Sequence, residues 1–237
     1  MKISFHNSIE EISRESWDAL IGDLNYPFLK HDFLKTLEIT NCVGTNTGWI
    51  PIHITIERDK ELIAAMPLYL KSHSQGEFVF DHAWANAFYQ HGLDYYPKLV
   101  SSIPHTPASG PRFLMKDGEE KSVLFEKIKE GVKMISSKNN ISSWHILFPE
   151  KDEINFYENS QLSIRKNAQF IWFNKNYKNF ENYLENFRSR HRKNVLKERN
   201  KIKEQDLIIE TLSGEDLNYE IMNKFYKFYL STNIKRS

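Results

Sequence analysis

The chain has 237 residues, room for one large domain or one and a half ordinary ones, and its 40% apolar and 14% aromatic content exceeds what a disordered chain carries. A formal net charge of +1 excludes a global attraction to DNA or anionic membrane, so any basic function is local. The single Cys42 excludes an internal disulfide, and no run reaches the roughly 18 apolar residues of a membrane span. The opening MKISFHNSIEEISRESW has no long apolar run and predicts no signal peptide, so a cytoplasmic location is expected.

KISF reads as a short strand, and IEEISRESWDALI places Ile9, Ile12, Trp17, Leu20 and Ile21 at helical spacing. Tyr26-Pro27 breaks the chain, after which FLKHDFLKTLEIT predicts a second amphipathic helix. From Trp49 the period becomes two: Ile50, Ile52, Ile54 and Ile56 alternate with polar positions, as in a half-buried strand. After the turn Arg58-Asp59-Lys60, ELIAAMPLYLK predicts a partner strand covered on both faces, with Pro67 marking a bulge or an edge. PKLVSSI and PRFLM read as strands separated by the irregular loop PHTPASGP. Leu124, Ile128, Val132 and Ile135 make a helical stripe over 119–140, and WHILF and NAQFIWFN read as two further strands around a helical KDEINFYENS.

From Tyr177 the character changes. NFENYLENF leads into residues 188–204, where eight Lys or Arg face two Glu, a formal local charge of +6. DLIIETL returns to strand pattern, and GEDLNYEIMNKFYKFYLST to helix. The expected organisation is a domain over 1–176 followed by 177–237, a basic helical arm, strand and helix leading into a second domain.

No Gly-x-Ser-x-Gly, P-loop or dinucleotide fingerprint is present, and the nine glycines stand singly, without a Gly-rich turn to meet a pyrophosphate. The nine dispersed histidines have no metal-ligand spacing, so no metal site is expected. His73 and Asp81 flank a turn at Gly76 and could face each other as general acid and base; a polar hairpin rim is the ordinary alternative. Phe78, Phe80 and Trp84 read as core. Tyr95 and Tyr96 could line a cleft or pack in the core, and Arg112 could clamp an anionic group or form a surface ion pair. The basic helix is either a solvated arm or a surface for phosphates.

The run MPLYLKSHSQGEFVFDHAWANAF followed by GLDYYPKLVSSIPHTPASGPRFL resembles the signature of the FemAB-like peptidoglycan biosynthesis/recognition proteins. YPFLKHDFLKTLE and GWIP upstream fit the same pattern, as does RSRHRKNVLKERNKIKEQDLIIETLSGEDL downstream. The resemblance covers most of the chain. It implies a mixed α/β (α+β) fold of the GNAT acyltransferase kind, a mixed sheet flanked by helices with the basic helical arm near the C-terminus. It further implies N-acyl or aminoacyl transfer to an amine, with acyl-CoA or aminoacyl-tRNA as donor rather than a tightly held cofactor. The acceptor would be a small molecule or peptidoglycan precursor, and tRNA a partner. Family members continue past the FYKFYLST helix, so a truncated N-terminal portion is expected. On this reading the His73 to Lys98 segment lines the acceptor side. Asp81, with His73 and Glu77, is the catalytic candidate; Trp84, Tyr95, Tyr96, Lys98 and Arg112 are substrate-binding candidates, with Arg190, Arg192 and Lys193 for acidic groups. The alternative is a non-catalytic module that recognises a cell-wall precursor or another acidic ligand.

Overall fold

Strand β1 (Lys2–His6) and helices α1 (Arg14–Ile21) and α2 (His31–Ile39) open the chain in the predicted order. The computed structural model describes residues 1–23, 26–168, 170–205 and 207–235, and the chain divides into two compact units, 1–167 and 168–237. The first helix is shorter than its pattern suggested because two serines interrupt it. The Ser8 hydroxyl accepts the Glu10 N–H and the Ser13 hydroxyl accepts the Ser16 N–H, so Ile9–Glu11 is a single 3-10 turn and α1 starts afresh at Arg14.

The alternating isoleucines and their partner run build one long hairpin. β2 (Trp49–Pro51) and β3 (His53–Arg58) pair antiparallel with β5 (Tyr69–Lys71) and β4 (Glu61–Met66) respectively, in one register on either side of a break at Ile52 and Pro67. Pro67 has no N–H to give, and the hairpin passes there from one sheet to another. His53 fills the gap: its Nδ1 accepts the Leu68 N–H, while its Nε2 meets Glu38 at 3.1 Å. Sheet A has the order β1-β3-β4-β7, with β7 at Leu114–Met115. Sheet B has the order β2-β5-β6-β8, with β6 (Lys98–Ser101) antiparallel to β5 and parallel to β8 (Trp144–Ile146).

Both faces of the β3–β4 hairpin are covered, so β3 is buried rather than half-buried. Ile54 and Ile56 face the core under α4 (Lys121–Asn139), with Phe125 and Ile128. Thr55 and His53 lie on the other face and are buried because His6 and Glu38 satisfy their polar atoms. That face packs on α1 and α2 through Trp17, Leu20 and Leu34. Gly131 lets α4 approach the sheet: a Cβ there would stand 2.7 Å from Ile54 Cδ1. KDEINFYENS forms a 3-10 turn and helix α5 (Ile154–Asn159), which adds Tyr157 to the same core.

The second unit holds α6 (Phe180–Leu184), α7 (Ser189–Lys203) and α8 (Tyr219–Ile234). The strands predicted from NAQFIWFN and DLIIETL are not formed among the described residues; Gln169 and Asp206 lie outside them. Phe170–Phe173 and Leu207–Ile209 are exposed. A strand pattern becomes a strand only when a neighbour accepts its ladder, and no such pairing is present in this unit's described residues.

Candidate functional site

β5 ends at Lys71 and β6 begins at Lys98, so residues 72–97 must return the chain to an adjacent antiparallel position. Register pairs Lys71 with Lys98 directly across the ladder, and Trp49 with Lys71 on the other side. Side chains alternate along a strand, so Trp49, Lys71 and Lys98 share one face of sheet B while Leu70, Leu99 and Trp144 face the core under α4. Two adjacent lysines on a covered face need counter-charge.

The 72–81 loop supplies it. Lys98 Nζ donates to Glu77 Oε2 at 2.8 Å, to Asp81 Oδ2 at 2.5 Å and to Ser74 Oγ at 2.8 Å, with Lys98 wholly buried. Tyr95 donates to the same Asp81 oxygen at 2.7 Å, and the Tyr96 hydroxyl meets Ser74 Oγ at 2.7 Å. Lys71, also fully buried, donates to the Gln75 carbonyl at 3.1 Å and lies 3.8 Å from the centre of the Trp49 ring. Glu77 Oε1 and Asp81 Oδ1 are buried without a hydrogen-bond partner. Gly76, at φ +78°, makes the turn; a Cβ there would come within 2.6 Å of His105 Nδ1.

These placements reverse the polarity expected for EFVFD. Glu77 and Asp81 point inward with Val79, whereas Phe78 and Phe80 are 56% and 80% exposed and Trp84, on α3 (His82–Gln90), is 52% exposed. The inward positions face lysines, so the acids are buried and the rings are not. Arg165 borders the exposed rings: it donates to the Phe80 carbonyl at 2.5 Å, and its guanidinium lies 5.8 Å from the Trp84 ring centre. Phe78 sits at φ +57°, a region that costs a non-glycine residue about 1 kcal/mol. Its neighbours hold it there, Glu77 through Lys98 and Val79 through the Trp49–Tyr69 cluster. Phe78→Gly is therefore expected to be about 1 kcal/mol more stable than Phe78→Ala, measured by urea unfolding of the two variants; equal stabilities would show an unstrained site.

The electrostatics follow from burial set against the lysines. Burial alone would raise the Asp81 carboxyl, but the hydrogen bonds from Lys98 and Tyr95 outweigh it and hold Asp81 down at about 2. Burial raises Glu77 above the usual carboxylate value despite Lys98. Lys71 is brought down to about 7 by burial, with attraction to Glu77 opposing and repulsion from Lys98 adding to the shift. His145 on β8 is pushed down to about 4 by burial and by Lys98. Burial and the hydrogen bond to Asp81 raise the Tyr95 phenol.

Of the candidates read from the sequence, Glu77, Asp81, Tyr95, Tyr96 and Lys98 come together in this cluster. His73 does not join it: its Nδ1 accepts the Gln75 N–H at 3.2 Å, and its side chain lies against Gly48. Arg112 is buried and donates to four carbonyls, Leu147 at 2.9 Å, Gly110 at 3.0 Å, Pro111 at 3.2 Å and Ala108 at 2.5 Å. It ties the proline-rich loop to the end of β8. Arg112→Met is expected to cost about 2–4 kcal/mol, read as a lower urea midpoint; unchanged stability would instead favour a ligand-facing role. Lys71 and Ser74 were missed, although KSHS stands in the sequence beside the candidates. Only the register, which sets Lys71 against Lys98, gives them a place.

In the second unit, Arg192 donates to the Leu184, Glu185 and Phe187 carbonyls at 3.1–3.3 Å and so closes the C-terminal end of α6. Arg190 is exposed on α7, and Lys193 lines an open groove with Lys197, Asn200 and Lys201.

The family model described as FemAB-like, peptidoglycan biosynthesis/recognition, matches residues 8–237. No curated protein matches the chain. Among solved structures, an aminoglycoside 6'-N-acetyltransferase from Acinetobacter haemolyticus is similar at 11% identity and a TM-score of 0.44, over 74% of this chain and 98% of that one. A ribosomal-protein-alanine N-acetyltransferase from Brucella melitensis biovar Abortus 2308 is similar at 7% identity and a TM-score of 0.42, over 73% and 99%. An aminoglycoside N-acetyltransferase in complex with CoA is similar at 10% identity and a TM-score of 0.44, over 74% and 94%.

Proposed function

The chain belongs to the FemAB-like family of peptidoglycan biosynthesis/recognition proteins, and from that premise we propose that it transfers an acyl or aminoacyl group to an amine of a peptidoglycan precursor. The family match over residues 8–237 is the observation that carries this reading. In the reaction the acceptor nitrogen attacks the acyl carbon of an activated donor, the thioester of an acyl-CoA or the ester of an aminoacyl-tRNA. A C–N bond forms, the C–S or C–O bond breaks, and the proton given up by the amine ends on the leaving thiolate or alkoxide. No covalent enzyme nucleophile is needed, only positioning and a proton acceptor.

Within the 72–97 segment, Glu77 suits the acceptor role better than Asp81. Burial raises its carboxyl above the usual carboxylate value and its buried Oε1 has no hydrogen-bond partner, whereas Asp81 is held at about 2 and is a weak base at neutral pH. Asp81 and Lys98 then act as positioning residues that fix Glu77 and the loop. Phe78, Phe80, Trp84 and Arg165 supply an aromatic, cationic surface for the acceptor, and Arg190 and Lys193 on α7 supply cations for acidic groups. His73 is left out, because an Nδ1 that accepts a backbone N–H is not free to take a proton. The proposed location is the cytoplasm; among the described residues no helix is long and apolar enough to cross a membrane.

Calorimetry against acyl-CoA, aminoacyl-tRNA and muropeptide precursors tests the reading. Binding of one donor together with a precursor is expected. Precursor binding with neither donor would replace transfer by recognition alone.

A further inference from the structure

The transfer reading gives the buried Lys71 no role. Its partner in the ladder, Lys98, takes two carboxylates and a hydroxyl, whereas Lys71 receives the Gln75 carbonyl and the face of Trp49. Every one of the loop groups that hold the two lysines, Ser74, Gln75, Glu77 and Asp81, comes from the same short stretch. We propose that residues 72–81 are a proton-operated latch over sheet B, closed while the Lys71 amine is neutral and released when Lys71 takes up a proton.

In the closed form Lys71 is wholly buried, with Lys98 facing it from β6, Glu77 and Asp81 from the loop, and the uncharged Trp49 ring from β2. The other titratable groups around the cluster are His73 in the loop, Tyr69 on β5 and His105 against the Trp49 ring, Tyr95 and Tyr96 before β6, and His145 on β8 with Arg165 acting on it. Closure disfavours the ammonium through burial and through Lys98, more than Glu77 favours it, which leaves Lys71 at about 7. Opening returns Lys71 to water and to an ordinary lysine value of about 10.4. The open form therefore binds one more proton between those limits, so opening becomes easier as pH falls toward 7 and changes little below it. Release also detaches Glu77 and Asp81 from Lys98, because both ride on the same loop. The inference stands on this cluster and not on the transfer reading.

Amide hydrogen exchange of residues 72–81, corrected for the intrinsic pH dependence, reads the opening equilibrium, with amides of β3 as the internal reference. The expected result is an opening constant that falls about tenfold per unit from pH 7.5 to 9 in the wild type and is flat in Lys71→Met. A slope that persists in Lys71→Met would show that the proton is not taken up at Lys71 and overturn the proposal, as would a flat wild type. The ¹³Cε resonance of Lys71 in lysine-labelled wild type gives a reading that needs no variant: a midpoint near 7 is expected, and one shared with surface lysines near 10.4 would overturn it.

Discussion

Lys98→Met is expected to lower stability by about 3–5 kcal/mol, because it leaves two buried carboxylates without their cation. Lys98 is wholly buried and donates three short bonds, to Glu77, Asp81 and Ser74. The other oxygen of each carboxylate is already unpartnered, and of the two acids only Asp81 keeps a second donor, the Tyr95 hydroxyl. Methionine matches the stem of lysine, which limits the contribution of a cavity to the loss. If uncompensated charge is the cause, adding Glu77→Gln and Asp81→Asn in the Lys98→Met background restores a large part of the stability. Urea unfolding of the wild type, Lys98→Met and the triple variant checks this, and a loss below about 1 kcal/mol in Lys98→Met would show that the ionic cluster does not hold the loop. The acid limb should respond too. Asp81 is held at about 2, below an unfolded value of about 3.9. Its contribution, about 2 kcal/mol, is fully present above pH ~4 and is lost as pH falls toward 2. That acid-side loss should be much reduced in Lys98→Met.

Glu77→Gln is expected to lower kcat about 100- to 10,000-fold, the usual contribution of a positioned proton acceptor, with KM little changed. Glutamine keeps an amide oxygen for the Lys98 ammonium, so the loop stays pinned while the ability to take a proton is removed. The wild-type rate should rise with pH through the Glu77 value, which burial places above the ordinary 4.5, and this limb should vanish in the variant. Asp81→Asn is expected to behave differently, reducing rate and stability together, since Asp81 acts through Lys98 and Tyr95. Equal kcat in wild type and Glu77→Gln would remove Glu77 from the proton-transfer role.

The strands and helices of the first unit were legible where one periodicity ruled. The isoleucine alternation, the Leu124–Ile128–Val132 stripe and the Pro67 interruption all correspond to structure, and the mixed α/β class expected is the one observed. What polarity misread was the inside and outside of EFVFD, because the face it covers is ionic: two lysines brought opposite each other by strand register attract Glu77 and Asp81 and turn Phe78 and Phe80 to the surface. That register links positions 71 and 98 and is invisible to any local window. Arg112 was misleading for a related reason, since its acceptors are backbone carbonyls, including that of the distant Leu147, which no side-chain pattern announces. In the second unit the aromatic and β-branched runs predicted two strands, and none forms among the described residues, because propensity alone supplies no neighbour.

The most direct measurement is a transfer assay with the purified chain, a donor carrying an isotopic label in its acyl group, and muropeptide precursors that do or do not carry a free amine. The proposed function predicts labelled amide on the amine-bearing precursor, seen by mass spectrometry, with the label absent when that amine is blocked. Saturable precursor binding without any labelled product, with both acyl-CoA and aminoacyl-tRNA as donors, would contradict it.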